Sequence, residues 1–382
     1  MSKAAELAKI GEVATNSQIG GRRNIIINGA MQINQRGSVT FDHAATGTAN
    51  IYGLDRFEFQ STGLDQLEGT VAQAADAPVG FTNSLKWTTT EPESAIAAAE
   101  TFDCCQKIEA QDLQQLAFGT SSAKKLTLRF YVKSSVTGTY GINVFKADST
   151  ARQLTSTYTI SSANTWEEKT ILIPADTDSS GTIANDNGEG LRITWHLGVG
   201  SDFTSADTAL TWTDYANAGW AFGHAQNNVA LTDNATWQLT GVQLEVGSVA
   251  TPFEHRSFGE ELALCQRYFT KEAAASGANY KSYAMGQAAT TTVARCSVFL
   301  PTSMRSTPTL VLSGDVNTFA GNSAGGSDAC TAIALSGDGD AGTDNVSVSL
   351  NVTVGSGYVA GDAVELLSND NVNTSFALDA EI

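Results

Sequence analysis

Apolar and polar residues alternate with a period of two along most of the chain. In "LTLRFYVK", Leu126, Leu128, Phe130 and Val132 fall on one face, and Thr127, Arg129, Tyr131 and Lys133 on the other. In "LRITWHLGV", Leu191, Ile193, Trp195, Leu197 and Val199 share a face. This period marks half-buried antiparallel strands. From Ile25 to about Phe253, such segments follow one another between turn-rich stretches, which predicts a mainly β fold built on a jelly-roll sandwich. From about 271 the pattern resumes. "VSVSLNVTV" aligns Val346, Val348, Leu350, Val352 and Val354, and the chain closes on alternating Phe376, Leu378, Ala380 and Ile382. A second, C-terminal β-sandwich domain is therefore expected.

Two segments break the alternation. Residues 2–15 place Leu7, Ile10 and Val13 on one narrow apolar stripe at helical spacing. A helix this short is marginal alone in water, so it predicts a partner surface or a bundle of its own copies. The other break lies in "WQLTGVQLEVGSVATPFEHRSFGEELALCQRYF" (237–269). Trp237 and Leu239 point inward, the register slips at Thr240–Gly241, and Val242, Leu244 and Val246 resume the face. One extra residue beside a glycine predicts a β-bulge. Pro252 ends the strand, and Ser257 with Glu260 has the S-x-x-E spacing of a capping box. Phe258, Leu262, Cys265 and Phe269 then follow at spacings of four, three and four. The expected organisation is an N-terminal anchor or trimerisation helix with linker (1–23), a jelly-roll domain (24–256), a linking helix (257–270) and a C-terminal β domain (271–382).

Charge narrows the partners. The formal net charge is −18, so phosphate is repelled and nucleic-acid binding is not expected. No run approaches the ~18 apolar residues of a membrane helix, so no membrane insertion is expected. The N-terminus lacks the charged-then-apolar layout of a signal peptide, which predicts synthesis in a cytoplasm. The five cysteines (104, 105, 265, 296, 330) are odd in number and irregularly spaced, and Cys104 and Cys105 would face opposite sides of a strand. All five read as reduced core residues.

Candidate chemistry is sparse. There is no G-x-G-x-x-G, P-loop or G-x-S-x-G, and the four histidines have no zinc spacing. "DTDSSGTIANDNGEG" opens like a calcium loop, with Asp176, Asp178, Ser180 and then Asp186 as oxygen donors. Its twelfth position is Asn187 in place of the closing glutamate. A solvated acidic loop joining two strands is the preferred reading, so the expectation is no cofactor, with structural calcium as the lesser alternative. "TWTDYANAGWAFGHAQNN" collects Trp212, Tyr215, Trp220 and Phe222 among polar residues. Such faces suit sugar rings, whose C–H faces stack while their hydroxyls hydrogen-bond. They also serve simply to cover a sandwich edge. Glu254 and His255 read as a contact surface, not a catalytic pair.

Several phrases together resemble virion fibre proteins of bacteriophages, in particular the tail-fibre-like proteins of cyanophages and marine phages. They are "NSQIGGRRNIIINGAMQINQRGS" (16–38), "YGLDRFEF" (52–59), "CCQKIEAQDLQQLAFGTSSAKKLTLRFYVKSSVTGTYGINVF" (104–145) and the 237–269 stretch, and they cover most of residues 16–270. Beyond that the resemblance fades to "PTSMRSTPTL" (301–310) and the final strand. The resemblance implies a carbohydrate-binding-module-like jelly roll, a homotrimer, attachment to other virion proteins through the N-terminus, and a variable distal domain. The expected function is thus a non-enzymatic fibre of the virion that recognises host cell-surface polysaccharide. The alternative is a head or collar decoration without a receptor of its own. A polysaccharide-degrading spike ranks third, because no short β-helix repeat is visible.

Overall fold

The computed structural model of the chain describes residues 22–42, 50–205, 208–225, 229–274, 279–336 and 347–382. The predicted anchor helix with Leu7, Ile10 and Val13 lies outside them. Contacts divide the chain into two compact units, Met1–Glu261 (with Ile382) and Leu262–Glu381. The division falls inside the single α-helix among the described residues, α1 (Phe258–Gln266).

Strands are numbered in chain order. The first unit packs two antiparallel sheets face to face. One has six strands in the order β1 (Val39–Asp42), β4 (Glu68–Ala74), β5 (Ser84–Glu91), β13 (Thr236–Val246), β7 (Leu126–Ser134) and β10 (Glu167–Ile173). The other has seven: β12 (Thr213–Asp214), β9 (Arg152–Ile160), β8 (Gly138–Lys146), β11 (Glu189–Val199), β6 (Thr101–Glu109), β3 (Glu58–Thr62) and β2 (Asn50–Tyr52). The alternation read from sequence is what fills the space between them. Leu126, Leu128, Phe130 and Val132 of β7 meet Leu191, Ile193, Trp195 and Leu197 of β11 in one buried cluster, with Trp87 and Trp237. Non-consecutive neighbours such as β8–β11–β6 make this a sandwich of long crossovers, as expected of a jelly-roll type fold.

The predicted bulge is present. β13 pairs with β7 in one register up to Thr240 and in another from Gln243. Gly241 adopts φ +62°, and a Cβ there would lie 2.7 Å from the Phe81 ring, so both backbone and space require glycine. Beyond the bulge β13 takes on a new neighbour, the extended segment from Arg23 to Gly29. Ile25 N donates to Leu244 O (2.8 Å), Val242 N donates to Gly29 O (2.9 Å), and the Asn24 side chain bonds both Val242 O and Leu244 N. Carboxylates then clip this entering segment to the one leaving the sandwich. Glu254 accepts from the amides of Arg23 and Asn24 (3.0 and 2.7 Å), and Glu261 accepts from Asn28 N (2.5 Å). Arg256 donates to Asn24 O and Ile26 O and pairs with Glu261.

Ser257 caps α1 as expected, its hydroxyl accepting from Glu260 N (3.3 Å). The predicted apolar face needs one correction. Phe258 is 61% exposed, and the buried positions of the turn are Glu261 and Cys265. The four-residue spacing was real, but Arg256 and Asn28 make a carboxylate the inward group. Glu254 and His255 both have partners within the first unit: Glu254 the entering segment, His255 the rings of Phe81 and Phe253.

The second unit closes six strands into a barrel, in the order β15 (Ser282–Ala288), β16 (Val293–Phe299), β20 (Ser347–Val354), β19 (Gly326–Leu335), β18 (Phe319–Ser323) and β21 (Ala363–Ser368). Closure removes the unpaired edges of an open sheet. A three-stranded sheet accompanies it: β14 (Phe269–Ala273), β22 (Ser375–Asp379) and β17 (Thr309–Ser313). The alternating residues Val348, Leu350, Val352 and Val354 fill the interior with Phe319 and Leu366, and Phe376 and Leu378 join the same core. All five cysteines are free and buried, with Cys104 in the first unit's core and Cys105 on the opposite face of β6.

Candidate functional site

The outer face of the seven-stranded sheet carries side chains of a different kind from its core face. On β11, between the core residues, Arg192, Thr194 and His196 point outward. Register places Arg192 opposite Phe145, and Thr194 opposite Asn143, of β8. On the other side Arg192 faces Lys107, Thr194 faces Cys105 and His196 faces Asp103 of β6. The segment from β12 to His224 folds back over β8 and β11 and adds two of the expected aromatic residues, Tyr215 and Trp220.

Three rings meet edge to face there. Phe145–Trp220, Phe145–Tyr215 and Tyr215–Trp220 have centroids 5.5, 5.4 and 5.7 Å apart at 74–80°. The Arg192 guanidinium lies 5.2 Å over Phe145 and 5.9 Å from Trp220, and it is held by both oxygens of Glu189 (2.9 and 3.2 Å). Burial pulls the Arg192 pKa down, but Glu189 and other acidic neighbours outweigh it and hold it above its ordinary value. Tyr215 is 42% exposed, and burial raises its pKa. The result is a partly exposed platform of ring edges and a cation. Beside it, Thr194 Oγ1 and Asn143 Oδ1 are buried on the same face with no partner among the described residues. Such a surface can stack on the apolar face of a ring.

Of the other two expected aromatics, Trp212 serves packing. Trp212 sits edge-on to Phe118 (5.6 Å), packs against the core and donates from Nε1 to Pro174 O (2.8 Å). Phe222 follows Trp220 in the turn, and its ring joins none of the described pairs of the platform. Arg192 escaped the sequence reading because it lies at an outward position of a strand judged by its inward residues, and Phe145 because its strand was not assigned a phase. The outward phase of Arg192 was visible, but the β8–β11 pairing that sets it opposite Phe145 was not.

Near the platform, His196 Nδ1 lies 2.6 Å from Asp103 and its Nε2 lies 3.0 Å from Trp220 O. A general base needs a ring nitrogen open to substrate; here a carbonyl occupies it. The neighbouring Cys105 thiol is 3.7 Å from Glu58, and burial first, then that carboxylate, push its pKa well up. The thiol form is a poor nucleophile.

The expected calcium donors do not converge. Among the described residues no group of three or more His, Cys, Asp or Glu side chains could hold a metal ion. Asp176 is buried and bonded to Arg152 Nε and Nη2 (2.7 and 3.1 Å). Asp178 caps its own turn through Ser180 N (2.9 Å), Ser180 Oγ accepts from Arg152, and Asp186 accepts from Gly188 N. The Lys146 ammonium donates to the carbonyls of Asp148, Ser180 and Thr182. Two protein cations thus stand where the loop's spacing suggested a metal. The motif could not reveal them, because they arrive from β8 and β9.

No protein-family model and no curated protein matches the chain. Among solved structures, the chain is similar to the enzymatically active domain of bacteriophage CBA120 tailspike protein 4, with 13% identity and a TM-score of 0.31. That match covers 59% of this chain and 21% of the other, so the chain spans about a fifth of that tailspike domain's length. It is also similar to the family 11 carbohydrate-binding module from Clostridium thermocellum in complex with a β-1,3-1,4-mixed-linked tetrasaccharide. There the identity is 12% and the TM-score 0.28, over 56% of this chain and 98% of that one. A family 22 carbohydrate-binding module of Clostridium thermocellum Xyn10B gives 12% and 0.27, over 50% and 88%.

Proposed function

We propose that the protein is a non-enzymatic virion fibre protein whose first unit binds a host-surface polysaccharide on the outer face of the seven-stranded sheet. The observation that carries glycan binding is the Phe145–Tyr215–Trp220 platform around Arg192, with Tyr215 exposed. The net charge of −18 favours an uncharged glycan over an anionic one. The fibre reading is supported by the sequence phrases at 16–38, 52–59, 104–145 and 237–269, and homotrimerisation belongs to that reading. The absence of catalysis is supported by the occupied His196 nitrogen and the raised Cys105 thiol.

Titrating purified protein with a panel of neutral and acidic envelope polysaccharides tests the glycan. Binding is expected for a neutral member, without chain cleavage, and is lost in Tyr215→Ala and Trp220→Ala. Cleavage of any member would replace the binding role by an enzymatic one. Imaging the protein on the particle and light scattering in solution test the fibre: a head location, or a monomer at micromolar concentration, would refute those parts.

A further inference from the structure

The backbone of Trp220 is tied directly to side chains of the sheet beneath. Its carbonyl oxygen accepts from Asn143 Nδ2 (2.9 Å) on β8 and from His196 Nε2 (3.0 Å) on β11. A carbonyl only accepts, so Nε2 must carry a proton. The other ring nitrogen faces the Asp103 carboxylate at 2.6 Å, and one further proton lies between those two atoms. His196 is fully buried and Asp103 nearly so, and their hydrogen bond has the short length of a charge-assisted one. The imidazole stands edge-on to the Trp220 indole, with centroids 5.9 Å apart. The segment is pinned a second time at His224, whose Nδ1 accepts from Gly141 N (3.1 Å). A Cβ at Gly141 would come within 3.1 Å of the His196 ring and 3.2 Å of the His224 Cβ, so the glycine leaves room for both residues against the strand.

We propose that Asp103 and His196 are positioning residues for the glycan platform: Asp103 fixes the orientation and proton of His196, and His196 sets the height and angle of Trp220 over the sheet. This rests on the glycan reading of the platform for its function, but the positioning itself does not. Neither residue needs to touch the ligand. Their effect passes through that carbonyl and the edge contact with the indole, so it centres on Trp220 and the rings that lean on it, Phe145 and Tyr215.

The test uses the full chain and the indole N–H resonances of its six tryptophans, with Trp220 assigned by Trp220→Phe. His196→Ala is expected to shift the Trp220 resonance while those of Trp87, Trp195 and Trp237 in the core stay in place. It should also weaken binding of the polysaccharide selected from the panel by about tenfold, the effect of losing one charge-assisted hydrogen bond's worth of preorganisation. His196→Gln, whose amide can still donate to Trp220 O, is expected to restore most of both. Asp103→Asn keeps the ring satisfied in its neutral form and is expected to move Trp220 less than His196→Ala. If His196→Ala does not fold, the His196→Gln and Asp103→Asn pair still decides. A Trp220 resonance unmoved in every variant overturns the inference, and so does one that moves only together with the core tryptophans. If wild-type protein binds no polysaccharide, the glycan reading fails, while the resonance shifts still decide whether Trp220 is positioned.

Discussion

Removing the Asp176 carboxylate by Asp176→Ala leaves the Arg152 guanidinium buried without its main partner. Side-chain exposures of 7% and 2% make this an interior pair, closed by two hydrogen bonds. Breaking a buried pair by removing one partner costs about 3–5 kcal/mol. The lower end applies, because Arg152 keeps Asp214 (2.8 Å), an exposed carboxylate, and Ser180 Oγ. About 3 kcal/mol is a large part of the 5–15 kcal/mol that hold a typical domain together. In a unit of this size it lowers the Tm by about 6–12 °C. Intrinsic tryptophan fluorescence during thermal or urea unfolding isolates the effect, since all six tryptophans lie between residues 87 and 237 in the first unit. Asp178→Ala, which removes an exposed cap and a long 3.9 Å contact with Arg152, should cost far less. Chelator should leave the wild-type midpoint where it is, because Lys146 and Arg152 supply the positive charge inside the loop. A midpoint for Asp176→Ala within about two degrees of wild type would refute the pairing argument. A fall in the wild-type midpoint with chelator, reversed by calcium, would show that the protein cations do not suffice.

Trp212→Ala should lower stability and leave polysaccharide affinity unchanged, the reverse of Trp220→Ala; melting curves and titrations of both variants check it. Gly241→Ala forces an L side chain into φ +62° against Phe81, and should cost about 2 kcal/mol in urea unfolding. Burial raises the Tyr140 pKa to about 12, so the unfolded chain ionises first. Stability from this residue is complete below about pH 10 and lost as pH rises from there toward 12. Lys146, whose pKa burial lowers, acts in the opposite sense over nearby pH, so the informative measurement is the difference in slope between wild type and Tyr140→Phe. Tyr140→Phe should show the shallower alkaline decline. The buried thiols of Cys104 and Cys105, both pushed well up by burial, should react with a thiol reagent only after unfolding, which timed labelling in native buffer and in urea compares.

The strands and their inward faces were legible because a period of two is a local property of the chain. Leu126 to Val132 and Leu191 to Val199 needed no knowledge of their partners. The bulge was legible too, since a slip in that period beside Gly241 can be seen in one line of sequence. What was not legible depends on strand order. Phe145, Arg192, Tyr215 and Trp220 span 76 positions, and they meet only because β8 and β11 are neighbours while β9 and β10 intervene in the chain. For the same reason the acidic loop's cations, Lys146 and Arg152, were invisible from its own spacing. Phe258 misled because a four-residue apolar interval marks a helix face but not which groups await it; here Arg256 and the Asn28 amide selected Glu261.

The clip between the chain's entry and exit bears on tension. A pull applied between residue 22 and residue 261 does not first cross the sheets. It meets Glu254 on the amides of Arg23 and Asn24, Arg256 on two carbonyls and Glu261 on Asn28, several charge-assisted bonds strained together. The end of β13 shares that load, because Asn24, Ile25 and Gly29 bond Val242 and Leu244, and the stretch from about Gln32 to Thr240 is by-passed while those bonds hold. Force on a tether through this unit would therefore leave the platform's geometry undisturbed until the clip itself gave way.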